Sequence, residues 1–140
     1  MNTPLVSIVI VNYNAGEYLR KCIESLEHQT CQDFEVIVVD NNSGDDSLAS
    51  ISCIPHLKRI CNSVNRGFAA GQNQGIAAAS GRFVLALNYD IALGDDFIQE
   101  LTSALNRTPE AGWACGKMLN MLPDGSRLDS FYAAGHMLAD

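Results

Sequence analysis

Three short polar clusters hold the residue types that could do chemistry: Asn12-Tyr13-Asn14, Asp40-Asn41-Asn42-Ser43 and Asn88-Tyr89-Asp90. Each one ends an apolar run. Together they offer an aromatic face, amide donors, a carboxylate (Asp40) to accept from a base or ribose, and a second carboxylate (Asp90) for a hard cation. That set suits a nucleoside diphosphate held through Mg²⁺ or Mn²⁺, which take oxygen ligands and often keep substrate phosphate in their shell. Plainer roles compete for the same residues. An Asp at a strand end also serves as a helix cap, so Asp40 taken singly divides between the two. Tyr89 fits loop packing as well as substrate contact. The pairs Asp45-Asp46 and Asp95-Asp96 open helices, where capping and dipole compensation account for them. Neither GxGxxG nor GxxxxGK[ST] occurs, which disfavours a nicotinamide enzyme and a P-loop nucleotidase.

The elements that must position these clusters follow from the apolar spacing. Phe83 to Leu87 (FVLAL), bounded by Ser80-Gly81 and the polar tripeptide, predicts an inner strand covered on both faces. Val6 to Val11 and Phe34 to Val39 predict two more buried strands, and the short start before them is expected to be disordered. Leu57 to Cys61 alternates, as an edge strand with one wet face does. Leu19, Cys22, Ile23 and Leu26 share one face of a helix that Asn14 would cap. Asp45 to Ile51 predicts a short helix capped by Ser43 or Asp45, with Pro55 beyond it. Asn65 to Ser80 predicts a helix with Phe68, Gly71, Gly75, Ile76 and Ala79 on one side. Its two glycines cost about 1 kcal/mol each against Ala, so close approach to the sheet or a ligand is expected there. Gly94-Asp95-Asp96 opens a helix turning Phe97, Leu101, Ala104 and Leu105 inward, with Pro109 past its end. Gly112 to Met118 reads as a further strand, Pro123-Asp124-Gly125 as a turn, and Arg127 to Asp140 carries no firm structure. The alternation predicts one α/β domain over 1–140, a Rossmann-like doubly wound, mostly parallel sheet with right-handed crossovers. Ligands of such sheets sit outside the carboxyl ends of the strands, where the three clusters fall.

The bulk numbers agree with a globular domain: 140 residues, 47% hydrophobic, 18% charged. Net charge is −7 with scattered Lys and Arg, so nucleic acid is excluded as a partner for want of a basic face. An acidic chain that binds a phosphorylated ligand must offset its own charge locally, most simply with a divalent cation. The five cysteines and three histidines show no metal-ligand spacing and read as reduced thiols and, for His28 and His56, surface residues. No apolar run approaches the roughly 18 residues of a membrane span. A cytoplasmic location is expected, with any membrane association peripheral, at the inner face.

In order and spacing, VSIVIVNYNAGEYLRKCIESLEHQT, FEVIVVDNNSGDDS, NRGFAAGQNQGI and GRFVLALNYDIAL resemble the N-terminal half of family 2 glycosyltransferases with the GT-A fold. The likeness covers residues up to about 125. It is nearest to the rhamnosyltransferase-type members, whose metal motif reads Asn-x-Asp. The resemblance implies that Asn12 and Tyr13, with Asn14 beside them, cradle the nucleobase. It implies that Asp40 bonds the base or ribose, flanked by Asn42 and Ser43, and that Asn65, Gly67 and Asn73 line the ribose–diphosphate side. Asn88 and Asp90 match the metal motif, Asp90 as the direct ligand. With Asn in place of the first Asp, cation binding without nucleotide should be weak.

The activity so implied is inverting transfer of a sugar from a nucleotide-diphospho-sugar, dTDP- or UDP-linked, to a hydroxyl of a saccharide or lipid-linked saccharide, in cell-surface polysaccharide synthesis. In the family the general base lies C-terminal to the matched region, and Asp124, Asp129 and His136 are not assigned that role. The chain is therefore expected to be a donor-binding part, incomplete at its C-terminus, turning over poorly alone and pairing as a two-fold homodimer through the surface left open. Two other readings stay open. One is a non-catalytic nucleotide- or sugar-binding or interaction module on the same scaffold. The other is a nucleotidyltransferase-like enzyme, which would want a Gly-rich basic stretch where Asn-Tyr-Asn stands.

Overall fold

A computed structural model describes residues 3–51, 57–122 and 126–131. Its elements run β1 (Val6–Asn12), α1 (Glu17–Glu27), β2 (Phe34–Asp40), α2 (Ser47–Ser50), β3 (Leu57–Cys61), α3 (Phe68–Ala78), β4 (Phe83–Leu87), α4 (Phe97–Arg107), β5 (Leu119–Met121) and β6 (Arg127–Phe131). The first four strands form one sheet in the order β3-β2-β1-β4, every pair parallel. The predicted α/β alternation is therefore the observed architecture, with the short amino-terminal run β1 at its centre.

Alternation along β1 feeds two layers. Val6, Ile8 and Ile10 pack with Leu19, Cys22, Ile23 and Leu26 of α1 and with Ile98 of α4. Val9 joins Ile37 and Val39 on the opposite face, beneath the end of α3. Burial on both faces is why β1 and β2 are apolar through most of their length, with Ser7 and Glu35 as polar interruptions. The two glycines of α3 let it lie close on the sheet. A Cβ at Gly71 would lie 2.9 Å from Val11 Cγ1, and one at Gly75 only 2.2 Å from Val9 Cγ1.

Several expectations are corrected. β4 is an edge strand among the described residues, paired to β1 alone, and Val84 is 45% exposed. Its unbroken apolar run suggested cover on both faces, but only Phe83, Leu85 and Leu87 reach the core. Phe68 and Ile76 are likewise exposed, because α3 turns Gly71, Gln72 and Gly75 to the sheet and rolls its bulkier residues outward. In α4 the buried positions are Ile98 and Thr102, one residue round from the predicted stripe. Gly112 to Met118 forms no strand. The regular structure begins at β5, which pairs antiparallel with β6 inside the tail left unassigned by sequence. β3 is the edge strand expected. Pro55, His56, Asp124 and His136 lie outside the described residues.

The opposite, amino-terminal rim is closed by one carboxylate. Glu35 is 8% exposed, and its Oε1 accepts from Ser7 Oγ (2.6 Å), Ser80 N (2.8 Å) and Ser80 Oγ (2.7 Å). Lys58 Nζ pairs with Oε2 at 2.7 Å. Burial pushes the Glu35 carboxyl upward, but Lys58, Ser7 and Ser80 outweigh it and hold the group at about 2, against an ordinary 4.5. A depressed folded value means the contribution is full above the ordinary value and disappears as pH falls through about 2. Between those limits the linkage is worth up to about 3 kcal/mol. Denaturant titrations from pH 6 down to about 2 should show this decline in the native protein and a flatter profile in Glu35→Gln.

Candidate functional site

The register sets the site. Asn12 and Asp40 are direct neighbours at the ends of β1 and β2, and Leu87, the last residue of β4, stands beside Ile10. Asn88, Tyr89 and Asp90 follow β4 in a turn, with Ile91 N donating to Asn88 O at 3.3 Å. Asp40 ends β2 and Asp90 follows β4, two places apart in the strand order.

At the centre lies a hydrogen-bonded knot. Asn12 is wholly buried, and the two N–H donors of its Nδ2 are shared among three oxygens, Asp40 Oδ1 (2.7 Å), Ser43 Oγ (3.0 Å) and Ser47 Oγ (2.9 Å). Asp40, 6% exposed, also accepts from Ser43 Oγ (2.6 Å, at Oδ1) and Ser43 N (3.1 Å, at Oδ2). A carboxylate oxygen has two lone pairs, so Oδ2 keeps one acceptor position. Ser43 Oγ is further engaged by Asn14 N at 3.0 Å. The side chain of Asn14 accepts from Gly44 N at 2.7 Å, and its backbone is left-handed, with φ of 51°. Among the described residues Asn42 is the other non-glycine with positive φ, 65°, and it is exposed. Of the first cluster, Asn12 is buried, whereas Tyr13, 46% exposed, and Asn14 are open to solvent.

Gly16, not Asn14, occupies the N-cap position of α1, and no side chain of its own caps that helix. The donor there is satisfied from another loop. Gly16 N donates to Asp45 Oδ2 at 2.8 Å, while Asp45 Oδ1 accepts from Ser47 N (3.2 Å) and Ser47 Oγ (2.5 Å). Asp45 thus ties the start of α1 to the start of α2, a role that sequence spacing does not reveal because its partner lies 29 positions away. Asp46 and Asp96 stand at N-cap positions but make no side-chain cap bond, so only their charge acts on the helix ends.

The 88–90 segment is held from α1. Cys22 Sγ donates to Asn88 O at 3.5 Å. Ser25 Oγ accepts from Leu93 N (3.0 Å), and the buried Gln29 bridges Gly94 O (2.7 Å) and Ile98 N (3.1 Å). Burial, and then the nearby charge of Asp90, push the Cys22 thiol up to about 12, so it stays protonated and inert at neutral pH. Tyr89 packs against the main core, whereas Asn88 and Asp90 are exposed. On the other flank Asn65 Oδ1 accepts from Gly67 N at 2.8 Å, Gly67 has φ of 83°, and Asn73 is exposed on α3. Arg20 pairs with Glu17 and Glu24 on α1.

Among the described residues no three His, Cys, Asp or Glu side chains converge on one point. Asp90 with the Asn88 amide is an open, minimal donor set. It fits a cation whose remaining ligands are water and substrate phosphate, the usual mode of Mg²⁺. A depression of about 540 Å³ lies elsewhere, at the start of α4, lined by Asp95, Asp96, Phe97 and Lys117 among others, away from the rim.

A doubly wound parallel sheet whose carboxyl rim combines a buried acceptor knot, an open aromatic and an exposed carboxylate defines a nucleotide-binding α/β class. Comparison with known proteins narrows the class. Residues 7–120 match the model for glycosyl transferase family 2, and the chain belongs to that family. It is 32% identical over 104 residues to the putative glycosyltransferase EpsH of Bacillus subtilis (strain 168), covering 72% of this chain and 30% of that protein. S. aureus TarS 1-349, solved in complex with UDP, superposes with a TM-score of 0.68 at 25% identity, over 73% of this chain and 32% of that one. The mannosyltransferase PcManGT from Pyrobaculum calidifontis, in complex with GDP-Man and Mn²⁺, has the same fold, with a TM-score of 0.68 at 21% identity over 75% and 33%. The chain spans about a third of the length of these relatives. The fold is the GT-A type.

Proposed function

We propose that this chain is the donor-binding part of an inverting glycosyltransferase, holding a nucleotide-diphospho-sugar along the carboxyl rim and presenting it to an acceptor hydroxyl. The observation that carries the reading is the common edge of the Asn12–Asp40–Ser43 knot and the Asn88–Asp90 segment. A nucleoside diphosphate is long enough to bridge them.

In this reading Tyr13 stacks on the base, and the spare lone pair of Asp40 Oδ2 accepts from the base or ribose. Asn12, Asn14 and Ser43 act by fixing Asp40 and the loops around it, and Asn42 stands exposed beside them. Asn65, Gly67 and Asn73 flank the ribose and diphosphate. Asn88 and Asp90 would hold Mg²⁺ or Mn²⁺, which supplies positive charge against the leaving nucleoside diphosphate. UDP in TarS and GDP-Man with Mn²⁺ in PcManGT support a donor of this chemistry.

The finer assignment is a dTDP- or UDP-linked sugar, rhamnose by the Asn-x-Asp motif. The acceptor is a saccharide or lipid-linked saccharide of a cell-surface polysaccharide, met on the cytoplasmic side at the membrane's inner face. No residue is assigned as the general base, so these 140 residues alone turn over poorly. The exposed Phe68 and Ile76 of α3, and Val84 on β4, an edge strand among the described residues, give the chain apolar surface for two-fold self-association. Light scattering should then report a mass rising toward the dimer with concentration, and a clean monomer throughout would remove that element.

Calorimetric titration of UDP, dTDP and GDP, with and without Mn²⁺, tests the core of the proposal. Saturable binding that requires the metal is expected for at least one nucleotide, with Mn²⁺ alone binding weakly. Affinity indifferent to metal for all of them would overturn it.

A further inference from the structure

We propose that Asn41 positions the Asn65–Gly67 loop for the donor diphosphate, and that Asn62 and Gln74 hold Asn41 in the orientation this requires. The inference rests on the reading that the rim binds a nucleoside diphosphate.

Asn41 follows Asp40 directly and turns inward, 1% exposed. Its backbone N donates to Asn12 O at 2.9 Å, anchoring it to the central strand. Its side chain grips the loop at two consecutive residues. Nδ2 donates to Gly67 O at 3.1 Å, and Oδ1 accepts from Arg66 N at 3.4 Å. Behind it the amides continue. Asn62 Nδ2 donates to Asn41 Oδ1 (2.9 Å) and to Gln74 Oε1 (2.8 Å), and Gln74 Nε2 returns a bond to Asn62 Oδ1 (2.9 Å). Asn62 N also donates to Asp40 O at 2.8 Å. A Cβ at Gly71 would stand 3.5 Å from Asn41 Nδ2, an ordinary contact, so α3 lies directly over this amide.

The chemistry of the side chains explains the choice. Each carboxamide is both donor and acceptor, so the Gln74–Asn62–Asn41 relay has one self-consistent orientation, and it sends Nδ2 of Asn41 toward Gly67 O. Three neutral groups also add no negative charge beside Asp40, where an anion must be received by a chain of net charge −7. Gly67, with φ of 83°, is the pivot that the grip immobilises.

The test compares UDP with UMP, each titrated with Mn²⁺ into the native chain, Asn41→Ala and Asn62→Ala. Because the loop is assigned to the diphosphate side, Asn41→Ala should weaken UDP about tenfold and UMP less than about twofold, erasing the advantage of the second phosphate. Asn62→Ala, whose side chain bonds Asn41 and Gln74, should move the UDP to UMP ratio the same way by about threefold. It decides the matter if Asn41→Ala does not fold. A general packing defect would lower the melting temperature and weaken both nucleotides alike. Variants that bind UDP and UMP in the native ratio would overturn the positioning role while leaving the donor reading intact. A native chain that binds neither nucleotide would overturn both.

Discussion

Asp90→Ala should abolish metal-dependent nucleotide binding without lowering the melting temperature. The side chain is exposed, and the neighbouring Asn88 contributes an amide without charge. Asp90 is thus the carboxylate the 88–90 segment can offer a cation. Removing a unit charge about 4 Å from a divalent ion near a protein surface forfeits several kcal/mol, so affinity for UDP with Mn²⁺ should fall at least a hundredfold, roughly. Asp90→Asn should lose as much, since it keeps shape and removes charge. The residual binding should no longer respond to Mn²⁺. Calorimetry on both variants checks the affinity, and a thermal melt checks the fold. An unchanged metal response in either would place the cation elsewhere on the rim.

Gly75→Ala should destabilise the fold by about 2 kcal/mol, against the sign that helix propensity gives. In an open helix the exchange would gain about 1 kcal/mol. Here the new methyl would fall 2.2 Å from Val9 Cγ1. Val9 is fully buried on the central strand, between β2 and β4, and β-branching leaves it few rotamers to retreat into. Overpacking of this kind costs about 1–3 kcal/mol, and with backbone displacement of α3 it exceeds the propensity gain. Gly71→Ala, facing Val11 Cγ1 at 2.9 Å, should cost less. Urea unfolding of the two variants beside the native protein measures the difference. A stabilised Gly75→Ala would mean that α3 lies farther from β1 than described.

The spacing of apolar residues was enough for the sheet and for one helix in detail. Leu19, Cys22, Ile23 and Leu26 are the buried face of α1 as spacing predicted, and β3 and β4 begin and end where their runs do. Periodicity works there because burial on one stripe or one run leaves a local signature. It failed where the cover comes from afar. The run at β4 cannot announce that one of its faces stays open, and α3 hides glycines where the pattern favoured Phe68 and Ile76.

The polar types at the strand ends named the candidate site but not the division of labour inside it. The chain's order placed Asn12, Asp40 and Asp90 after apolar runs, and parallel pairing obliges such ends to meet. Which amide is buried and which is open is decided by contacts 21 to 35 residues apart: Asn12 with Ser47, Asn41 with Asn62, Gly16 with Asp45. Hydrogen bonds of that reach depend on register and loop geometry, which exist only once the sheet has formed. Sequence determined a parallel sheet and a polar rim; tertiary structure alone decided that Asn12, Asn14 and Ser43 build the support, and that Tyr13 and Asp90 are left facing outward.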